Sequence, residues 1–307
     1  MLKNPKVSVA ICTYNGAKFI KSQLESVINQ TYKNTEIIII DDKSIDDTVE
    51  ICRSYIDNRI FLSVNEQNLG YTKNFEKAIM QCSGKYICLC DQDDIWNLNK
   101  IEILVDEIGN NELIYHDSDF IDNDGAKITM PTMAERYHMY QGNNPLPFLL
   151  FNCISGHASM FKSDLIKYLL PFDKRFFHDW WLAYVAVNVG SIKFINKVLV
   201  NYRQHTDSIT DNLSLKPTLK NKGKRVKIDL DWLEKIAKFD YNKQPMLISK
   251  AFSIFKTLLM GKGRWRAFIF IVSYYDELFY IANRKRKSLI SKINFARKLS
   301  LSNKSLL

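Results

Sequence analysis

YICLCDQDDIW, residues 86–96, runs from five mostly apolar positions into a knot of acid, and its reading decides the fold. A short continuous apolar run closed by polar residues reads as a strand buried on both faces. The same pattern recurs upstream at 7–12, 37–40 and 60–64, separated by stretches whose apolar residues return at helical spacing. Phe19, Ile20, Leu24, Val27 and Ile28 predict one helical face, and Val49, Ile51, Cys52, Tyr55 and Ile56 a second, behind an Asp46-Asp47 pair that suits a helix N-terminus. A third helix is expected over 71–81. Alternating β and α elements with doubly buried strands predict an α/β fold with a mostly parallel sheet flanked by helices, and ligands at the carboxyl ends of its strands.

Those strand ends carry the chemistry. The first ends in Thr13-Tyr14-Asn15-Gly16, which lacks the G-x-G-x-x-G turn of dinucleotide sites. The second ends in Asp41-Asp42 and the fourth in Asp91, Asp93 and Asp94. Carboxylates crowded into one crevice repel each other unless a cation joins them. Hard oxygen ligands suit Mg²⁺ or Mn²⁺, which keep sites open for phosphate oxygens. In an extended D-Q-D, Asp91 and Asp93 point one way and Gln92 the other. A phosphatase-like reading, with an Asp of this motif as nucleophile, expects the motif after the first strand instead of the fourth.

The chain of 307 residues is 46% hydrophobic and 25% charged, an ordinary globular mix that excludes disordered and collagen-like classes. No apolar run approaches the roughly 20 residues of a membrane span. The opening MLKNPKVSVAIC leads straight into the first strand and does not read as a signal peptide. Six cysteines scattered through apolar segments lack a disulfide or zinc spacing and fit a cytoplasmic chain. The net charge of +10 is divided: residues 1–210 carry 21 basic and 26 acidic side chains, and 211–307 carry 22 basic and 7 acidic. We place a boundary near residue 211, with a catalytic part over 1–210 and a basic, amphipathic helical extension over 211–307. Two readings of the extension stand: helices lying on an anionic membrane, or a cap over the catalytic part with a solvated basic face. The acidic bulk of the chain argues against a nucleic-acid partner.

VSVAICTYNG, IIIIDDKSIDDT, NEQNLGYTKNF and CDQDDIW, in this order and spacing, resemble the nucleotide-sugar domain of the inverting family 2 glycosyltransferases of GT-A fold, over roughly residues 5–210. HDWWLA and NYRQH (178–183 and 201–205) resemble more narrowly a rhamnosyltransferase-like branch that builds bacterial surface polysaccharides. The resemblance implies transfer from a nucleoside-diphosphate sugar, with dTDP-rhamnose as one donor, to a glycan or lipid-linked acceptor at the inner face of the plasma membrane. It places Thr13, Tyr14, Asp42 and Asp91 on the nucleotide, Asp93 and His205 on Mn²⁺ or Mg²⁺, and His157 and Trp180 at the acceptor or donor pocket. Asp179 matches the general base, beside His178 where many relatives have Glu; a helix cap is the competing reading of Asp179. Arg203 stands between a phosphate partner and a structural ion partner. Arg264-Trp265 lacks the Gln of a Q-x-x-R-W signature, since position 261 is Gly, which favours single-sugar, non-processive transfer. The alternative to an enzyme is a membrane- or nucleic-acid-binding protein with a vestigial crevice.

Overall fold

The structure is a computed structural model that describes residues 4–205, 228–283 and 285–301. The chain opens with β1 (Val7–Thr13), α1 (Ile20–Ile28), β2 (Thr35–Asp41), α2 (Thr48–Arg53), β3 (Ile60–Val64), α3 (Tyr71–Gln81) and β4 (Tyr86–Cys90). It continues through β5 (Ile95–Trp96), α4 (Lys100–Glu107), β6 (Leu113–Ile121), β7 (Lys127–Ile128) and α5 (Met133–Arg136). After a loop come β8 (Ser159–Lys162), α6 (Ile166–Leu169), α7 (His178–Val189) and β9 (Ile192–Arg203).

Strand alternation sorts the apolar side chains onto two faces. Val9, Ile11, Ile37, Ile39, Cys88 and Cys90 share a core with Ile20 and Leu24 of α1 and with Ile101 and Leu104 of α4. Ala10, Ile38, Ile40, Ile87 and Leu89 face the other way, onto Phe75 and Ile79 of α3 and the whole buried side of α7. Where both faces are covered, as at β1, β2 and β4, a strand needs no polar side, which is why β2 reads TEIIIID without alternation; β3 is only half-buried, with Phe61 53% exposed.

One sheet runs β3-β2-β1-β4-β8-β6-β9-β5, with β7 on β6. The expected parallel half is β3-β2-β1-β4; the other half is mixed, with β8 antiparallel between β4 and β6 and β9 parallel to β6. The loosening into loops expected from residue 110 onward is corrected: β6 is a nine-residue strand, buried despite His116, Asp117 and Ser118. Its ladder with β9 shifts register at 116–118, a bulge that turns these polar residues toward a cavity. The second expected helix also ends earlier than its pattern, at Arg53, and Ile56 is fully exposed. Asp57, two residues before Arg59 and paired with it at 2.6 Å, closes the turn into β3 instead.

Beyond the residues around 211, which lie outside the described ones, α8 (Leu230–Ala237), α9 (Pro245–Leu259), α10 (Arg264–Ser273), α11 (Tyr275–Leu278) and α12 (Leu289–Leu301) follow. Their apolar residues join the core of the preceding part. Trp232 packs against Phe176, Trp180, Trp181 and Tyr184, and its indole donates to the Phe148 carbonyl at 3.1 Å. No helix among the described residues is long and apolar enough to cross a membrane.

Candidate active site

The carboxyl ends of β1, β2 and β4 meet at one rim. There Asp41, wholly buried, accepts from the Thr13 hydroxyl at 2.7 Å and from the Ser44 N–H and hydroxyl at 2.7 and 2.6 Å, so it braces the loops from beneath. Asp42 accepts from Asn65 Nδ2, Leu69 N and Gly70 N, each at 2.8 Å, and so fixes the loop leading into α3. Gly70 meets this carboxylate at φ +81°, a conformation that favours glycine. The alternation of Asp91, Gln92 and Asp93 has a visible use. Gln92 turns to the first loop, accepting from Tyr14 N at 2.8 Å and donating to Tyr14 O at 3.1 Å, and locks the acid motif to the TYNG loop.

A cavity of about 590 Å³ opens on this rim. Thr13, Tyr14, Asp42, Asp91, Asp93, His157, Asp179 and His205 all line it, so the structure brings eight of the nine expected site residues to one space. Trp180 does not line it. The indole of Trp180 donates to the Phe148 carbonyl at 2.8 Å and packs 4.7 Å from Trp232, because its place on α7 faces the helical extension. The expectation for Trp180 at the donor or acceptor pocket is thereby corrected.

Asp179 lies in the first turn of α7, whose N-cap is Phe177 with no side-chain cap bond, so the capping reading loses its support. Burial pushes its carboxyl up to about 7 against the backbone N–H groups of Trp180 and Gly156, which favour the ionised form. Asp91 is likewise pushed up to about 7, by burial first and then by the charges of Asp93 and Asp179. Its side chain nevertheless keeps 41% of its surface open to the cleft. Asp91 thus feels the other two carboxylates across a shared space. Beside Asp179, the His178 ring is packed among Phe75, Tyr71 and Phe172 and held at about 4 by burial, neutral under ordinary conditions.

One group of side chains among the described residues fits a divalent ion. Asp91, Asp94 and His157 present donor atoms within 4.8 Å of one another, and the buried Asp94 Oδ2 has no hydrogen-bond partner. Burial and the Lys100 cation hold His157 down at about 3, so its imidazole is neutral, as ligation requires. Asp93 and His205, the pair expected on the ion, bond each other at 2.7 Å. The buried His205 Nδ1 has no hydrogen-bond partner among the described residues. Carboxylate oxygens with an imidazole are donors that Mn²⁺ and Mg²⁺ accept. The other oxygen of Asp94, Oδ1, accepts the Arg203 N–H at 2.9 Å and so ties the acid motif to the end of β9.

Arg203 is resolved as a structural partner. Its buried guanidinium donates to the carbonyls of Asp93, Asp122 and Asn123 at 2.7, 2.7 and 3.0 Å and lies over Phe19. Sequence reasoning missed Lys100. Fully buried, it donates to the His157 carbonyl at 2.6 Å and sits 3.4 Å from the Trp96 ring centroid, tying the His157 loop to the base of the acid cluster. A lysine opening an amphipathic helix carries no signal that it points inward. His157 itself stacks on Tyr202 at 4.3 Å and bonds Ser118 at 3.1 Å.

The family model described as "Glycosyl transferase family 2" matches residues 8–169. The chain belongs to glycosyltransferase family 2. An uncharacterised glycosyltransferase of Rickettsia typhi is 31% identical over 218 residues, 69% of this chain and 68% of the relative. WfgD of Escherichia coli, described as a UDP-Glc:α-D-GlcNAc-diphosphoundecaprenol β-1,3-glucosyltransferase, is 30% identical over 67% of this chain and 80% of its own. Among solved structures, Staphylococcus aureus TarS in complex with UDP-GlcNAc superposes with a TM-score of 0.56 at 16% identity, covering 96% of this chain and 90% of that one. The mannosyltransferase PcManGT of Pyrobaculum calidifontis, in complex with GDP-Man and Mn²⁺, gives 0.53 at 15% identity, over 98% and 72%. These structural likenesses show the GT-A fold that the sequence motifs lead one to expect. The protein is a glycosyltransferase.

Proposed function

We propose that this family 2 glycosyltransferase is inverting and non-processive, and that it moves one sugar from a nucleoside-diphosphate sugar to a hydroxyl of a glycan or lipid-linked acceptor in bacterial surface polysaccharide synthesis. One observation carries the reading: Asp179 faces Asp91 and Asp93 across a single cavity, close enough that its charge raises Asp91. A base on one side and a phosphate-anchoring acid cluster on the other is the arrangement that one in-line displacement needs.

In this reading Asp179 accepts the acceptor hydroxyl's proton as that oxygen attacks the anomeric carbon. A carboxyl near 7 is well matched, because a stronger base is half available at neutral pH. Thr13, Tyr14 and Asp42 shape the nucleoside end, with Gln92 fixing the loop. Residues of the Asp91, Asp93, Asp94, His157 and His205 set would hold Mn²⁺ or Mg²⁺, which would supply charge stabilisation for the departing diphosphate. WfgD's glucosyl transfer to a diphospholipid-linked sugar supports a lipid-linked acceptor. For the donor, dTDP-rhamnose heads the panel on the strength of the 178–183 and 201–205 motifs.

Peripheral membrane attachment has its own support. Trp265 and Ile269, one turn apart on the outward face of α10, are 70% and 47% exposed beside the exposed Arg264 and Arg266. Apolar side chains flanked by cations suit an anionic inner leaflet. The test of the whole reading is transfer or hydrolysis of nucleotide sugars by purified protein with Mn²⁺ or Mg²⁺. Turnover of at least one donor, lost in Asp179→Asn, is the expected result; no turnover across dTDP-, UDP- and GDP-sugars contradicts it.

A further inference from the structure

The cavity is one-sided in charge. Asp42, Asp91, Asp93, Asp117 and Asp179 line it, and Arg136 is the one Arg or Lys among its described lining residues. Arg136 closes the single turn α5, which a Thr132–Glu135 capping box starts and which is tied to the β6 bulge where Ala134 N donates to Asp117 Oδ1 at 3.4 Å. That same oxygen accepts from Ser118 N at 3.0 Å, so the Asp117 carboxylate serves backbone and not the guanidinium. The Arg136 guanidinium lies 5.5 Å from the Phe120 ring centroid and forms no ion pair with a described residue. A planar cation on a cavity wall, with no carboxylate of the described residues on its in-plane donors, is built for a bidentate anion, and phosphate fits its fork.

Position decides which phosphate. From Arg136 to the acid cluster runs a series of rings: Phe120 to Tyr202 at 6.1 Å, Tyr202 to His157 at 4.3 Å, then His157 Nδ1 to Asp91 at 3.9 Å. A donor diphosphate anchored at the acid cluster lies at the other end of that series. Phe120 and Met133 flank Arg136 on its own stretch of wall, apolar surface suited to a sugar face or the start of a lipid.

We propose that Arg136 binds a phosphate group of the acceptor, so that the acceptor class is a saccharide carried on a phosphate or diphosphate. The inference rests on the glycosyltransferase reading above and narrows its acceptor. Two measurements test it. In transfer assays, kcat/KM is compared for an N-acetylglucosaminyl diphosphate alkyl lipid and for the phosphate-free alkyl glycoside of the same sugar. The preference for the diphosphate acceptor should fall about tenfold or more in Arg136→Ala, the worth of a charge-assisted hydrogen bond, and recover in part in Arg136→Lys. An unchanged preference, or equal loss with both acceptors, overturns the proposal.

The second measurement needs no turnover and so separates failure of this inference from failure of the parent reading. Phenyl phosphate is titrated calorimetrically into protein saturated with UDP, which fills the donor side. The wild type should bind, and Arg136→Ala should weaken binding about tenfold or more at an unchanged melting temperature. Absent wild-type binding, or equal affinity in the variant, overturns the assignment.

Discussion

Replacing Asp179 with Asn removes the charge and keeps the shape, and the structure sets the size of two separate effects. The carboxyl is pushed from an ordinary 3.8 to about 7. The folded protein therefore holds the proton more tightly than the unfolded chain, so the penalty is absent below pH 4, grows as pH rises, and is complete above 7. The bare shift corresponds to about 4 kcal/mol at pH 8; because the group borders the water of the cleft we take roughly half, about 2 kcal/mol. In ligand-free protein Asp179→Asn should melt a few degrees above wild type at pH 8, with the difference closing toward pH 4. Catalysis should move in the opposite direction. Loss of a general base costs about 10²- to 10⁴-fold, and wild-type kcat/KM should rise with pH through about 7 while the variant's residual rate loses that limb. Thermal melting and initial-rate assays over the same pH series give both readouts. Transfer within a few-fold of wild type, or a stability difference that ignores pH, would refute the assignment of Asp179.

Further expectations concern the scaffold and the membrane face. Arg203→Lys keeps the charge but loses the fork that holds the Asp93, Asp122 and Asn123 carbonyls; it should cost about 2 kcal/mol by denaturant melting and weaken Mn²⁺-dependent nucleotide binding. Burial alone would raise Glu36, but the Lys6 ammonium, the Ser8 and Ser83 hydroxyls and the Ser83 N–H outweigh it and hold the carboxyl at about 2. That stability is present above about 4.5 and lost as pH falls toward 2, so Glu36→Gln should flatten the acid limb of unfolding by about 3 kcal/mol. Lys100→Met, which removes the bond to the His157 carbonyl, should lower the melting temperature and reduce kcat more than donor KM, because the His157 loop loses its anchor. Trp265→Asp with Ile269→Asp should abolish sedimentation with phosphatidylglycerol vesicles while leaving melting unchanged; equal binding to neutral vesicles would argue against an electrostatic surface.

How much of this is legible in the residues follows from what each residue does. Strands β1, β2 and β4 are readable because doubly buried strands leave uninterrupted apolar runs, α3 because its buried residues return at helical spacing, and Asp91 and Asp93 because acid at a strand end stands out; β3 reads like the others but is only half-buried. Strand β6 is not. LIYHDSDFI breaks its apolar pattern at His116, Asp117 and Ser118, and only the bulge and the cavity explain why polar residues are buried mid-strand. Arg203 and Lys100 act through backbone carbonyls distant in sequence, a kind of contact that leaves no local pattern. Trp180 fails as a pocket residue because the face of α7 that it occupies is covered by α8, an element far along the chain. Arg136, at the end of the single helical turn α5, is singled out only by the charge of the cavity around it.

Crystals of the protein grown with Mn²⁺ and a nucleoside diphosphate, with data collected at the manganese edge, put the account to its hardest test. An anomalous peak in the cavity between the diphosphate and the carboxylates of 91–94, with Asp179 facing the space where the transferred sugar would sit, is the predicted outcome. A nucleotide seated elsewhere, or bound in the cavity with no manganese between its phosphates and those carboxylates, would contradict it.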